Sequence, residues 1–324
     1  MSQGFFREIH GKGDMRRTCM HEIYLLAKRD QRVVFVGSDI GAGTLDEFKK
    51  EMPDRFLMEG ISEGHLVGMM AGMALSGKIP YMNTIATFIT RRCYEQVLLD
   101  AGLHNVKIRL VGSGGGSVYA PLGPTHLALE DIAITRVIPN MTVVAPCDAE
   151  EMKRLMPQTL DMPGPMYIRL AKGGDPVISR PDLPFKIGRA ITLERGKDVL
   201  IISTGIATKV ALDASHLLKN KGISTTVIHL HTLKPVDRET LLDAMSSARV
   251  VLSVEEHTVI GGLGSIVAEV LSEAGFRDPK KFGRIGFPDT FIHRYGSQNF
   301  LMSHYGITAE KTTDAAMRLL QNKG

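Results

Sequence analysis

Residues 56–100 read FLMEGISEGHLVGMMAGMALSGKIPYMNTIATFITRRCYEQVLLD, and their pattern decides the fold. Phe56 to Met58 is a short apolar run that ends in a turn signal at Gly60. Glu63 then introduces a helix over 64–76, rich in Gly, Ala, Met and Leu. Leu66, Val67, Met69, Met70, Ala71, Met73, Ala74 and Leu75 cover nearly every face of it, which predicts a helix buried all round. A carboxylate in a first helical turn complements the free N–H groups and the helix dipole. If that turn is buried, the same carboxylate needs a partner or a task. Spacing alone leaves both roles open for Glu63. A strand over 79–83 and a helix over 88–102 complete the stretch.

The same alternation extends in both directions. A helix is predicted over 15–28, with Met20, Ile23, Tyr24 and Ala27 at helical spacing, and Val33-Val34-Phe35-Val36 is a continuous β-branched and aromatic run. Such a run suits a parallel strand covered on both faces. It empties into the loop Gly37 to Thr44, which carries Asp39, and ligands in open α/β sheets sit beyond the carboxyl ends of strands. Further strands are expected at 107–111, 141–145 and 166–170, with helices at 127–135 and 149–160. Alternation of this kind means a mainly parallel sheet with right-handed crossovers.

Gly173 to Lys186, with three prolines and two glycines, reads as a linker, and the alternation restarts beyond it. Strands are expected at 199–203, 224–230, 250–254 and 284–286, and helices at 207–219, 238–246, 309–321 and after Gly264. The expected architecture is α/β in two domains, each a mainly parallel sheet covered by helices, at 1–172 and 189–324 with a linker at 173–188. Gly112-Ser113-Gly114-Gly115-Gly116-Ser117 lacks the Gly-Lys-Ser/Thr ending of a phosphate loop, and Ser117 stands where a dinucleotide fingerprint wants glycine. It reads as a flexible loop at a strand end. Gly262-x-Gly264 fails the dinucleotide pattern at Val267.

Composition narrows the function. The chain has 324 residues, enough for two domains, with 44% hydrophobic and 23% charged residues, as in an ordinary globular protein. The net charge is +4, with no basic and aromatic cluster, which argues against nucleic acid as a partner. Cys19, Cys93 and Cys147 lie far apart and show no metal-ligand or redox spacing. The start, MSQGFFREIHGKGDMRR, has no signal-peptide core, and no apolar run is long enough to span a bilayer. A reducing, cytoplasmic setting without membrane contact is expected.

Several motifs in one order carry a resemblance. Gly60-Ile61-Ser62-Glu63-Gly64-His65, Ala86-Thr87-Phe88, Tyr94-Glu95-Gln96-Val97, Gly123-Pro124-Thr125-His126, Arg136-Val137-Ile138-Pro139-Asn140-Met141 and Ala145-Pro146-Cys147-Asp148 resemble the pyrimidine-binding domain of the transketolase family. Leu233-Lys234-Pro235-Val236-Asp237 and Val254-Glu255-Glu256-His257 resemble that family's C-terminal domain. Deoxyxylulose-phosphate synthase belongs to the same family, whose cofactor is thiamine diphosphate.

The resemblance implies roles residue by residue. Glu63 matches the glutamate that hydrogen-bonds the pyrimidine nitrogen opposite the amino group, where a carboxyl that shares a proton serves the chemistry. Phe88 matches the aromatic residue under the pyrimidine ring, and Tyr94, Asp39 and Ile61 match positions bordering the cofactor. His126 matches the substrate-facing histidine. His65 matches a histidine of the synthase branch. Arg169 matches the arginine that holds a sugar phosphate, and Arg16 is a second candidate for it. The family's C-terminal domain is structural and helps build the dimer.

Two departures stand out. Transketolases carry a histidine and an aspartate flanking the glycine-rich loop, where this chain has Gly114 and Leu122, so the substrate need not be a common pentose phosphate. The family also binds the diphosphate and Mg²⁺ through a Gly-Asp-Gly motif in a separate domain, and Gly-Asp-Gly occurs nowhere in this sequence. Anchoring a diphosphate needs a divalent ion or a cationic nest. The expectation is therefore half of a split, thiamine-diphosphate-dependent transketolase that transfers a two-carbon ketol unit between sugars. Its partner would carry the Gly-Asp-Gly motif, the diphosphate and Mg²⁺, in an α2β2 heterotetramer. Two other readings stay open: the β subunit of a 2-oxoacid dehydrogenase-type decarboxylase, and a non-catalytic assembly or regulatory subunit of the same fold.

Overall fold

The computed structural model describes residues 13–38, 45–171 and 174–321. The chain divides into two units, Met1–Gly115 with Ile134–Ser179, and Gly116–Ala133 with Arg180–Gly324.

In the first unit the strands are β1 (Val33–Gly37), β2 (Phe56–Met58), β3 (Ile79–Ile85), β4 (Arg109–Ser113), β5 (Thr142–Val144) and β6 (Met166–Leu170). They run parallel in the order β5-β6-β4-β3-β1-β2. Every residue of β1, β4 and β6 is buried, which is why none of them alternates apolar with exposed polar residues, and β1 is apolar throughout. Gly37 pairs with both Met58 and Asn83, and Ser113 with both Ile85 and Leu170. The carboxyl ends of β1, β2, β3, β4 and β6 therefore reach one edge of the sheet, and the loops carrying the predicted site leave from it. Beneath it Phe35 stacks on Phe56 at 5.2 Å between ring centroids, and both pack against Phe48. Asp148 caps the helix Ala149–Thr159 through the Glu151 N–H and also accepts from the N–H groups of Ile178 and Ser179, tying the start of the linker to this unit.

Three expectations change here. The helix Glu63–Leu75 buries only one face, with Leu66, Val67, Met70 and Ala71, while Leu75 is 66% exposed. The helix expected over 88–102 is broken into Ala86–Ile89, Tyr94–Gln96 and a π-helical Val97–Leu103. The first piece ends at its C-cap Thr90, whose hydroxyl also bonds back to the Ala86 carbonyl at 2.6 Å. The glycine-rich loop is not a flexible one, because residues 113–118 are all buried. A Cβ on Gly112 would fall 2.7 Å from the Tyr167 ring, and one on Gly115 2.5 Å from Arg169. Those glycines leave room for neighbouring side chains.

In the second unit β7 (Ile191–Glu194), β8 (Val199–Ser203), β9 (Thr225–His229), β10 (Thr232–Lys234), β11 (Val250–Thr258) and β12 (Lys281–Phe287) alternate with helices. The five-stranded sheet runs β12-β11-β8-β9-β7, parallel except for β7 against β9. Ile201, Val227, Leu252 and Phe287 form its core with Ala207, Ala211 and Leu218 of the helix Ala207–Lys219. The sequence pattern did not anticipate β7, β10 or the helix Gln298–His304. The helix expected at 127–135 begins only at Asp131, because Ala128 exchanges backbone hydrogen bonds with Gly116 and the Leu129 carbonyl accepts from Thr258.

Candidate active site

Glu63 is the first residue of its helix, placed there by the left-handed turn at Gly60 (φ +76°), and only 2% of it is exposed. Ser62 at the N-cap supplies no side-chain bond. A carboxylate at that depth is stable only with a partner. Arg92 is that partner, with Nη1 donating to Glu63 Oε2 at 2.9 Å. The same guanidinium lies 3.7 Å from the centroid of the Phe88 ring. The Arg92 side chain is itself 44% exposed, so a buried carboxylate and an aromatic face are covered by one half-solvated planar cation.

This arrangement follows from the break after Ile89. The Cys93 thiol donates to the Phe88 carbonyl at 3.3 Å, and the next helical piece, carrying the half-buried Tyr94, packs against the Glu63 helix. A Cβ on Gly64 would meet Gln96 Oε1 at 3.4 Å, an ordinary contact distance. Burial, and then the charge of Glu63, push the Cys93 thiol up to about 12, which leaves it protonated and unreactive at neutral pH.

Chemically the pair suits a flat nitrogen heterocycle. Phe88 offers a face to stack on, and Glu63 offers a carboxyl, screened from water, that can share a proton with a ring nitrogen. Arg92 sets a planar group bearing N–H against both of them. The pyrimidine ring of thiamine diphosphate has the same requirements.

The other predicted residues lie on separate elements of the two units. Ile61 is 69% exposed beside the Gly60 turn, and His65 faces solvent on the outer side of the helix. Arg169 is buried at the end of β6, in register with Gly112 and lodged in the space that Gly115 leaves. Arg16 is half-buried in the first turn of the helix Met15–Arg29, and among the described residues its Nε has no hydrogen-bond partner. Asp39 lies outside the described residues. His126 belongs to the second unit, half-buried, with Nδ1 2.9 Å from the Thr125 hydroxyl. Sequence reasoning missed Arg92, although its spacing of four from Phe88 was an available signal.

Comparison with known proteins places these elements. The transketolase pyrimidine-binding domain model matches residues 12–174, and the transketolase C-terminal domain model matches 188–312. The chain is 36% identical to a subunit of the apulose-4-phosphate transketolase of Phocaeicola vulgatus, over 94% of this chain and 97% of that one. It is 34% identical to a subunit of the 6-deoxy-6-sulfo-D-fructose transketolase of a Clostridium species, over 95% of each. A solved structure described as "Split gene transketolase, inactive beta4 tetramer" superimposes with a TM-score of 0.87 at 35% identity, covering 96% of this chain and 99% of that one.

Proposed function

This chain belongs to the transketolase family, and on that premise we propose that it is the pyrimidine-binding, substrate-handling subunit of a two-component transketolase. The complete enzyme moves a two-carbon ketol unit between sugar substrates, with sugar phosphates the best-fitting class. The observation that carries this reading is the buried carboxylate of Glu63 set beside the ring of Phe88, both covered by one half-exposed planar cation. When bound, thiamine diphosphate stabilises the carbanion that the reaction needs. The chain's own residues bind, orient and move protons. The Glu63 carboxyl holds the proton shared with the pyrimidine nitrogen, Phe88 carries the ring's face, and Tyr94, Ile61 and Asp39 border it. His126 and His65 read the hydroxyl groups of the sugar. Arg169 and Arg16 hold its phosphate, the buried Arg169 as the fixed anchor and Arg16 with a donor to spare.

The diphosphate and Mg²⁺ fall to a partner subunit with a Gly-Asp-Gly motif, in an α2β2 assembly. Relatives named as subunits support that division, as does a split transketolase half whose tetramer is described as inactive. Ile61, Leu75, Leu99 and Leu103 are 69%, 66%, 42% and 73% exposed on this unit, more apolar surface than its own packing accounts for. Residues 1–172 and 189–324 then act as the two functional domains joined by 173–188. A cytoplasmic setting agrees with the free, buried Cys19, Cys93 and Cys147.

Calorimetry with Mg²⁺ and thiamine diphosphate tests the division. The purified chain should bind weakly and turn nothing over, and adding the partner should restore both. Tight binding with turnover by the chain alone refutes the split.

A further inference from the structure

We propose that Glu256, in the second unit, is a positioning residue for His126. The C-terminal unit then takes part in substrate handling rather than only in assembly. The proposal rests on the reading of His126 as the substrate-facing histidine.

His126 sits in the segment Gly116–Ala133, which belongs to the second unit. The segment is a loop closed at its base by paired backbone hydrogen bonds of 2.9 Å each between Gly116 and Ala128. Its outer turn, Gly123 to His126, has Gly123 in the left-handed region (φ +79°) and packed so tightly on Tyr295 that a Cβ would fall 2.7 Å from the ring.

Consecutive residues at the end of β11 hold the base of this loop. Glu256 is 2% exposed, and its Oε1 accepts from the Ser117 N–H at 2.8 Å, the Ser117 hydroxyl at 2.7 Å and Gln298 Nε2 at 2.8 Å. Gly116 is left-handed (φ +74°) directly over that carboxylate, where a Cβ would fall 2.4 Å from Cδ. His257 is fully buried, and its Nδ1 donates to the Thr258 carbonyl at 2.7 Å, which leaves Nε2 to accept from the Ala133 N–H at 3.3 Å. The Thr258 N–H donates to the Leu129 carbonyl at 2.9 Å. Ser117, Leu129 and Ala133 are thus pinned in turn by Glu256, Thr258 and His257.

A carboxylate sealed from water with three donors on one oxygen is costly to assemble unless each bond is kept. Neither Glu256 nor His257 lies in the His126 turn, yet both ends of the loop that bears it depend on them. An exposed turn on a fixed base presents its side chain at a defined place, as a substrate-reading group requires.

Hydrogen exchange on the full-length chain tests the clamp without any substrate. In Glu256→Ala the amides of 117–129 should exchange about 10-fold faster or more, while those of β1, β3 and β4 keep their rates. Glu256→Gln should restore protection, because a glutamine carbonyl can take the place of Oε1. Unchanged exchange in Glu256→Ala overturns the clamp, and so does an equal loss of protection throughout the chain.

A double-mutant cycle on the chain reconstituted with its partner tests the link to His126, with hydroxypyruvate as the ketol-donor probe. Glu256→Ala should lower kcat/KM by about 10²-fold in the native background and by no more than about twofold beside His126→Ala, with cofactor affinity unaltered. Equal losses in both backgrounds make Glu256 structural and overturn the positioning role. Full activity of His126→Ala alone removes the substrate-reading role of His126, while the exchange result still decides the clamp.

Discussion

Replacing Glu63 with Gln separates chemistry from stability more cleanly than any other change in this chain. Gln matches Glu in size, keeps a carbonyl oxygen for Arg92 Nη1, and suits a first helical turn. The ion pair that it removes has one buried member and one that is 44% exposed, so the solvated cation loses little when its partner becomes neutral. The stability change should stay within about 1 kcal/mol, the range for a half-solvated pair. Activity should respond differently. An amide cannot exchange the proton held between Glu63 and a ring nitrogen, and losing an acid–base group costs at least about 10²-fold, or about 2.7 kcal/mol in the barrier. The assay pairs thermal unfolding of the free chain with turnover of the reconstituted complex, together with proton exchange at the cofactor's reactive carbon followed by NMR. Turnover and exchange should fall together while the melting temperature barely moves. Normal turnover would reduce Glu63 to a helix-start residue paired with Arg92.

Arg92→Met keeps a flexible apolar chain near Phe88 but removes the cation that occupies both contacts of the ring site. Cofactor affinity of the reconstituted complex should rise about 10-fold, as expected when a competing contact of ~1.4 kcal/mol is removed, and a fall in affinity would make Arg92 a ligand instead. Arg169→Ala should raise KM for phosphorylated sugars by an amount equivalent to about 2–5 kcal/mol, with cofactor binding intact; an unchanged KM reassigns Arg169 to a structural contact. Burial raises the Cys93 thiol from 9.0 to about 12, so its contribution to stability is complete below pH 9 and is lost as pH climbs toward 12. Unfolding free energy should therefore decline above pH 9 with a slope that Cys93→Ala reduces, and thiol reagents at pH 8 should leave native Cys93 unmodified.

Much of the fold was legible because burial and strand direction write directly into residue order. The apolar run Val33-Val34-Phe35-Val36 and the mainly apolar Met166 to Leu170 became strands buried at every position. The deep burial expected for Glu63 was also legible, since one flank of its helix offers only Leu, Val, Met and Ala to the core. Burial all round was the wrong extension of that reasoning. Composition cannot say whether an apolar face meets the chain's own core or something outside it, and Ile61 and Leu75 stay exposed. The break after Ile89 was hidden as well, because Thr90 is tolerated in helices, and Thr312 and Thr313 make the same hydroxyl bond to a carbonyl four residues back inside an unbroken helix.

Residue order was enough for the alternation of strands and helices, the parallel sheets, the two-part organisation and the family. Those properties depend on short-range pattern and on residue types that persist along the chain. Long-range packing was needed to learn that Arg92 covers Phe88 and Glu63, that Gly112 and Gly115 clear space for Tyr167 and Arg169, and that the His126 loop is pinned to Glu256. Ser117 and Glu256 are separated by 139 residues. No local periodicity links positions that far apart. Their pairing exists only once β11 lies in its sheet and places a buried carboxylate where three donors converge.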